Sequence, residues 1–154
     1  MIGRMLATVA LALGLVAAAT PAQPQTFERD HLAIETAGGA EQFAVELAVT
    51  SEQRAQGLMY RPRLPANAGM LFLYPAARPV SMWMKNTLIP LDMLFIGDDG
   101  RILHIAERTI PGSTATISSM QPARAVLELN GGTAARLKIQ VGDRVRYRTF
   151  GTAD

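Results

Sequence analysis

A chain of 154 residues is long enough to bury one hydrophobic core, so a single domain is expected. The fifteen Lys and Arg residues exceed the thirteen Asp and Glu residues by too little to indicate nucleic acid or an acidic membrane as the main partner. The chain has no cysteine, which excludes thiol catalysis and zinc–thiolate sites. Because it has only two histidines, a multi-histidine metal centre is disfavoured. No cofactor is expected.

Residues 1–22 have the three-part layout of a secretory signal peptide. Arg4 supplies a positive charge, residues 5–16 form a short apolar run, and small residues precede Ala19 and Ala22 at cleavage spacing. A membrane anchor is the competing interpretation, but this run falls short of the roughly twenty apolar residues that span a bilayer. We therefore expect cleavage after Ala19 or Ala22, no membrane span afterwards, and a periplasmic or secreted protein.

The first part of the mature chain shows alternating apolar residues, the pattern of half-buried strands. This alternation over residues 32–34 and 43–49, on either side of the glycines at 38–39, predicts a hairpin. Thr50 or Ser51 can cap a short helix of good helix formers, and Gly57 can end it.

The second part predicts further strands. Residues 91–96 and 102–110 flank a Gly-Asp-Asp-Gly turn, which indicates a second hairpin, whereas the Ser-, Thr- and Pro-rich residues 111–122 predict an exposed loop. We expect a mainly β fold over residues 26–150, a compact single-domain sandwich or barrel with one or two short helices. The remaining strands and one helical turn are predicted over residues 70–74, 80–84, 125–129, 144–150 and 133–137.

Five motifs in a fixed order resemble the domain of unknown function 192 family. The resemblance covers residues 43–147, nearly the whole mature chain, and departs from the family at Met82, where an aromatic residue is usual. It implies a jelly-roll-like, mainly β domain that often follows an export signal, and it implies no established activity. The motifs are Arg54 with Gly57-Leu58-Met59 and Arg61, Gly69-Met70-Leu71-Phe72, Trp83-Met84-Lys85-Asn86-Thr87 with Pro90-Leu91-Asp92, Leu127-Glu128-Leu129-Asn130, and Gly142-Asp143.

The candidate site centres on Asp92, a carboxylate between Leu91 and Met93 that is costly to bury without a partner. One interpretation pairs it with a lysine and an amide in a pocket for a small polar or anionic ligand or an envelope component, bound without catalysis. The other makes it a structural cap for backbone amides or a buried arginine. The proposed ligand-binding residues are Arg54, Arg61, Trp83, Lys85, Asn86, Asp92, Glu128 and Asn130.

Three alternatives stay open from the sequence. Asp92 and Glu128 could form the acid pair of an enzyme acting on envelope carbohydrate, which needs two carboxyl groups about 5 to 9.5 Å apart. Met82, Met84 and His104 could bind Cu(I), which favours soft thioether ligands. The loop at 111–122 could instead contact an assembly partner. The oligomeric state is not predicted.

Overall fold

The computed structural model describes residues 25–152, and the predicted signal peptide lies outside that part of the chain. The described residues form nine strands and two short helices. In chain order they are β1 Glu28–Thr36, β2 Gly39–Ala48, α1 Ser51–Gln56, β3 Ala68–Arg78, β4 Ser81–Met82, β5 Leu91–Ile96, β6 Ile102–Ala106, β7 Ile117–Ser118, β8 Ala123–Asn130, α2 Thr133–Leu137 and β9 Arg144–Arg146, followed by a 3-10 turn at Arg148–Phe150.

Seven of the strands form one sheet in the order β6-β5-β8-β3-β2-β1-β9, and β4 pairs separately with β7. The sheet curls into a half-barrel. At its open side, backbone hydrogen bonds join the turn before β6 to the segment leading into β9, including Val145 N–H to the carbonyl of Gly100 at 2.8 Å. The edge strands of the sheet are therefore tied together by turn residues.

The connection from β2 to β3 places α1 beside the sheet. β2 and β3 pair in parallel, which requires the chain to cross back between them, whereas the other ladders of this sheet are antiparallel. Thr50 caps α1 in a capping box with Gln53, and Gly57 ends the helix with a φ of 50°. Helix α1 thus begins and ends where local sequence dictates.

The sheet carries a hydrophobic core on each face because apolar residues occupy both sides of its central strands. The inner core includes Ile34, Leu127 and Val145, and both edge strands of the curled sheet, β6 and β9, contribute residues to it. The second core lies on the outer face, where Met70, Met93 and Val126 pack beneath the segments that hold α1, β4 and β7. The fully buried β5 reflects this two-sided packing.

The mainly β fold with two short helices confirms the expectation from sequence, and the curled sheet resembles a barrel opened along one side. Both predicted hairpins are present. Four strand lengths were wrong: β3 continues to Arg78, β4 covers two residues instead of 80–84, β6 ends at Ala106 instead of residue 110, and the last strand gives way to a 3-10 turn. Within residues 25–152, no helix is long and apolar enough to cross a membrane.

Candidate functional site

A cleft opens on the outer face of the sheet, between α1 and the segment that follows β4. Its volume is about 330 Å³, within the range of small-molecule sites. We call it the Trp83 cleft, after the half-exposed indole at its edge. Its lining combines apolar and polar side chains. The apolar ones include Leu58, Met59, Phe72, Met82 and Trp83, and the polar ones include Ser51, Arg54, Tyr74, Ser81, Thr87 and Glu128.

Glu128 is the most unusual group of the Trp83 cleft. Its side chain belongs to β8 and stands opposite Met70 on β3 and Met93 on β5, so its neighbours across the sheet are apolar. The residue is 4% exposed, and its carboxyl group makes no hydrogen bond or ion pair with any residue in 25–152. Burial away from water disfavours the charged form and raises the pKa of Glu128 to about 8.

A buried carboxyl group without a partner is costly, and protonation is how the protein reduces that cost. At neutral pH Glu128 is therefore mainly a neutral acid, with one O–H donor and spare acceptor capacity facing the Trp83 cleft. Buried acids with a raised pKa that line a cleft occur preferentially at functional sites. Sequence alternation placed Glu128 on the face opposite Leu127, and the structure shows that this face carries a second core and a cleft.

The aromatic walls of the Trp83 cleft already carry cations of the protein itself. The guanidinium carbon of Arg54 lies 5.1 Å from the centre of the Tyr74 ring. Lys85 Nζ lies 5.4 Å from the centre of the Trp83 ring. Both distances are those of cation–π contacts. Arg54 thus places positive charge in the lining of the cleft, whereas Lys85 contacts the Trp83 ring without lining the cleft.

Two segments with unusual backbone hold the wall around Met59. Tyr60 and Asn86 both have positive φ angles, 64° and 57°, and the Tyr60 N–H donates to the Asn86 carbonyl at 2.8 Å. The Asn86 amide nitrogen also lies 3.9 Å from Met59 Sδ. Left-handed backbone is uncommon for a bulky residue such as tyrosine, and such geometry is concentrated near functional sites. Asn86 therefore positions a cleft wall and does not itself line the cleft.

Asp92 has the structural role that the sequence left open, and the expectation that it fixes Lys85 was wrong. Its Oδ1 accepts the backbone N–H groups of Arg108 at 2.8 Å and Gly132 at 2.9 Å, and its Oδ2 accepts that of Ala134 at 2.8 Å. Three amides satisfy the fully buried carboxylate and join the start of α2 to the chain after β6. Asp92 is therefore satisfied without a ligand.

Comparisons with known proteins agree with this architecture. Residues 33–147 match the domain of unknown function 192 (DUF192) family, described as "Uncharacterized ACR". The chain belongs to the DUF192 family. No curated protein matches it.

Two solved structures are similar to this DUF192 chain. A protein of Sinorhizobium meliloti 1021, described as a candidate transcription regulator, is 46% identical with a TM-score of 0.79, and the match covers 82% of this chain and 99% of that one. A protein of unknown function from Novosphingobium aromaticivorans DSM 12444 is 40% identical with a TM-score of 0.76, and covers 77% and 85% respectively. These similarities establish the family and the fold.

The DUF192 motifs do not converge on one pocket, so the expected single concavity was wrong. Arg54, Trp83 and Glu128 line the Trp83 cleft, whereas Arg61 lies in a separate hollow with its Nη2 2.5 Å from a carboxylate oxygen of Glu46. Asn130 borders a third hollow and donates to the carbonyls of Leu64 and Pro65. Local sequence patterns could not show this separation, because it depends on which sheet face and which loop each residue joins.

The acid pair proposed for a carbohydrate enzyme is also wrong on geometry. Asp92 pairs with Leu129, and Glu128 pairs with Met93, across the same two strands. Neighbouring positions along a strand point to opposite faces, so the two carboxyl groups project from opposite sides of the sheet. They cannot flank one glycosidic bond.

The three residues proposed for Cu(I) have different surroundings. Met82 lines the Trp83 cleft, where its Sδ lies 3.8 Å from the Tyr74 hydroxyl. Met84 is buried with its Sδ 3.1 Å from the Thr109 hydroxyl, and the His104 ring stacks on Phe95. Met84 and His104 do not line the cleft, so the structure does not support a joint copper site.

The loop at 111–122 supports the segment that carries Trp83. The N–H of Gly112 donates to the carbonyls of Met84 and Thr87, and the N–H of Met84 donates to the carbonyl of Ser113. Strand β7 within this loop pairs with β4. These contacts give the loop a structural role beside the cleft, and its proposed contact with an assembly partner stays a prediction.

Proposed function

We propose that this DUF192 protein is an exported binding domain that holds a small ligand in the Trp83 cleft, with Glu128 as the polar anchor. One observation carries the proposal: Glu128, a residue that is 4% exposed and whose carboxyl group has no hydrogen bond or ion pair within residues 25–152, lines a cleft of about 330 Å³. A ligand group that hydrogen-bonds to Glu128 would satisfy it.

The make-up of the Trp83 cleft favours binding over hydrolysis. Glu128 is the one carboxylic acid among its lining residues in the described part of the chain. Hydrolysis of a glycosidic bond normally needs a second carboxyl group in the same cleft. The combination of apolar walls and polar groups instead matches that of ligand pockets, in which shape and burial supply affinity and polar groups supply orientation.

Trp83 allows a direct test because it is the only tryptophan of the chain. A panel of small neutral, anionic and cationic fragments is added to the purified mature protein, and the indole N–H resonance and fluorescence of Trp83 are followed. At least one fragment is expected to shift both signals and to raise the melting temperature. A ligand at 100 times its Kd adds about 2.7 kcal/mol to the free energy of unfolding.

A panel in which no fragment changes the Trp83 signals would end the binding proposal. Replacement of the exposed Met120, which does not line the cleft, by glutamine serves as a control that keeps the response. Export has a separate test. The full chain is expressed with its leader in a Gram-negative host, and the N-terminus of the product is sequenced, with a start at Thr20 or Gln23 expected.

A further inference from the structure

Arg54 is the one basic residue among the lining residues of the Trp83 cleft in the described part of the chain. Neither Arg54 nor Lys85 makes an ion pair with any residue in 25–152, and Glu128 is mainly neutral at pH 7. The nearest acid to Arg54 along the chain, Glu52, is exposed on the same helix and accepts a hydrogen bond from the Ser51 hydroxyl at 3.1 Å. Arg54 therefore brings a guanidinium without an ion pair within residues 25–152 to the lining of the cleft, which favours an anionic ligand.

Arg54 is held in place while part of its guanidinium stays unused. Its Nη1 donates to the carbonyl of Val49 at 2.5 Å and to that of Leu73 at 2.9 Å. Within the described residues, its Nη2 and Nε have no hydrogen-bond partner. A fixed guanidinium with spare donors is suited to carboxylate recognition.

We propose that the ligand of the Trp83 cleft is a small organic monocarboxylate with an apolar body. Its carboxylate would accept a hydrogen bond from the Glu128 carboxyl group, and its body would lie against Leu58, Phe72 and Trp83. This inference rests on the proposed function and names the chemical class of its ligand.

The chemistry of two carboxyl groups that share one proton supports this class. A hydrogen bond from a neutral acid to a carboxylate is charge-assisted, and it is about twice as strong as one between neutral groups. An ammonium ligand would be disfavoured for two reasons. The aromatic faces that would attract it already carry Arg54 and Lys85, and Glu128 would first have to lose its proton.

The same arrangement couples binding to pH. When Glu128 ionises, it loses its O–H donor and places a negative charge beside the ligand carboxylate, so affinity falls as the pH rises above about 8. Among charged or titratable groups, Arg54 from α1 and Tyr74 from β3 line the cleft with Glu128. Arg78 from β3 and Arg124 from β8 lie next to Tyr74. Burial raises the pKa of Tyr74, so this phenol stays neutral over the same range.

The test uses three probes with the same ring and different head groups: cyclohexanecarboxylate, cyclohexanecarboxamide and cyclohexylmethylammonium. Their dissociation constants for the mature protein are measured at about pH 6.5 by calorimetry and Trp83 fluorescence. The carboxylate is expected to bind at least about tenfold more tightly than either other probe, the range for a hydrogen bond to a charged group. Its affinity is expected to fall above pH 8 by up to about tenfold per pH unit.

Two substitutions at the same position separate the hydrogen bond from shape. Glu128→Gln keeps a donor and cannot ionise, so it should retain the preference for the carboxylate and lose the pH dependence. Glu128→Met keeps a similar size without a donor, so it should weaken carboxylate binding at least about tenfold. Glu107→Gln, an exposed acid outside the cleft, is the matched control and should behave as the wild type.

The possible failures are distinguishable. Tighter binding of the ammonium probe, equal binding of all three probes, or loss of carboxylate binding in Glu128→Gln would overturn the monocarboxylate class, while binding in the cleft would stand. If cyclohexanecarboxylate does not bind but other fragments do, the monocarboxylate class is likewise overturned while binding in the cleft stands. If no compound perturbs Trp83, the proposed function fails as well. Circular dichroism and melting temperature confirm that each variant is folded.

Discussion

At the scale of single residues, two buried acids on neighbouring strands differ in whether the protein stabilises their negative charge. Asp92 faces the start of α2, where three backbone amides stabilise its charge. Glu128 faces the Trp83 cleft, where no group in the described residues does so. Because successive side chains of a strand point to opposite faces, a one-residue difference in register decides which acid is structural and which is available to a ligand.

The state of Glu128 has a consequence for stability. Its pKa in the folded protein is about 8, above the ordinary value of 4.5, so the folded state holds a proton that the unfolded chain releases between these values. The free energy of unfolding should therefore fall from about pH 4.5 to about pH 8, by at most ~1.4 kcal/mol per pH unit from this group. Glu128→Gln should lack this contribution and gain stability relative to the wild type as the pH rises.

Urea unfolding of both proteins at several pH values between 5 and 8 measures the difference. Glu107→Gln, which changes an exposed acid, should follow the wild-type curve. A constant difference between wild type and Glu128→Gln across this range would show that Glu128 titrates normally.

Sequence reasoning identified both acids as candidates but could not assign their roles. Period-two alternation correctly placed Glu128 opposite Leu127 and Leu129. What it could not supply was the register between β5 and β8, which depends on long-range pairing. The wall residues Met59, Phe72 and Tyr74 were missed for a related reason: apolar and aromatic residues look alike in sequence whether they fill a core or border a cleft.

At the scale of elements, the spacing of β3 and β8 sets the position of Glu128. Gly69 on β3 pairs with Leu129, and a Cβ added at Gly69 would lie 2.6 Å from the backbone oxygen of Glu128 and 2.8 Å from Leu129 Cδ2. A backbone atom cannot move aside as a flexible side chain can. Gly69 is required here for close approach of the strands.

Gly69→Ala should therefore push β8 away from β3 and destabilise the protein by about 1 to 3 kcal/mol, the usual cost of overpacking. It should also change the Trp83 fluorescence, because Glu128 and Trp83 line one cleft. Gly38→Ala is the control, since its Cβ would meet only Thr36 Oγ1 at an ordinary 3.6 Å. Chemical unfolding of both variants is the measurement, and equal stability would contradict the steric argument.

Local sequence signals predicted some elements and failed for others. The capping box at Thr50, the glycine that ends α1 and the turn between β5 and β6 follow from residues within a few positions of one another. β4 and β7 are two residues each and exist because they pair with one another. No local pattern marks such strands, which explains why 80–84 was predicted too long.

At the scale of the whole molecule, the C-terminal segment completes the inner core. Val145 pairs with Ile34, and Tyr147 and Phe150 are buried in the same cluster. Arg148 also forms ion pairs with Asp30 and Glu28 near the start of β1. The last described elements therefore cover the first strand.

Removal of the residues after Gln140 should prevent stable folding, because several large apolar side chains leave the core and one edge of β1 becomes unpaired. The truncated protein is expected to lose cooperative urea unfolding and to bind the dye ANS. A chain that ends at Thr152 keeps the described contacts and should unfold as the full chain does. Cooperative unfolding of the shorter chain would show that the inner core does not need β9.

The arrangement of β1 between β2 and β9 also orders events during synthesis. The ribosome makes β1 first and β9 last, so β1 cannot pair with β9 until nearly the entire chain has been synthesised. A nascent chain can form the β1–β2 hairpin early, yet its apolar side stays uncovered until the tail arrives. The inner core is thus completed only in a chain that includes β9. A prematurely terminated chain would leave the apolar face of the hairpin exposed to proteases and chaperones.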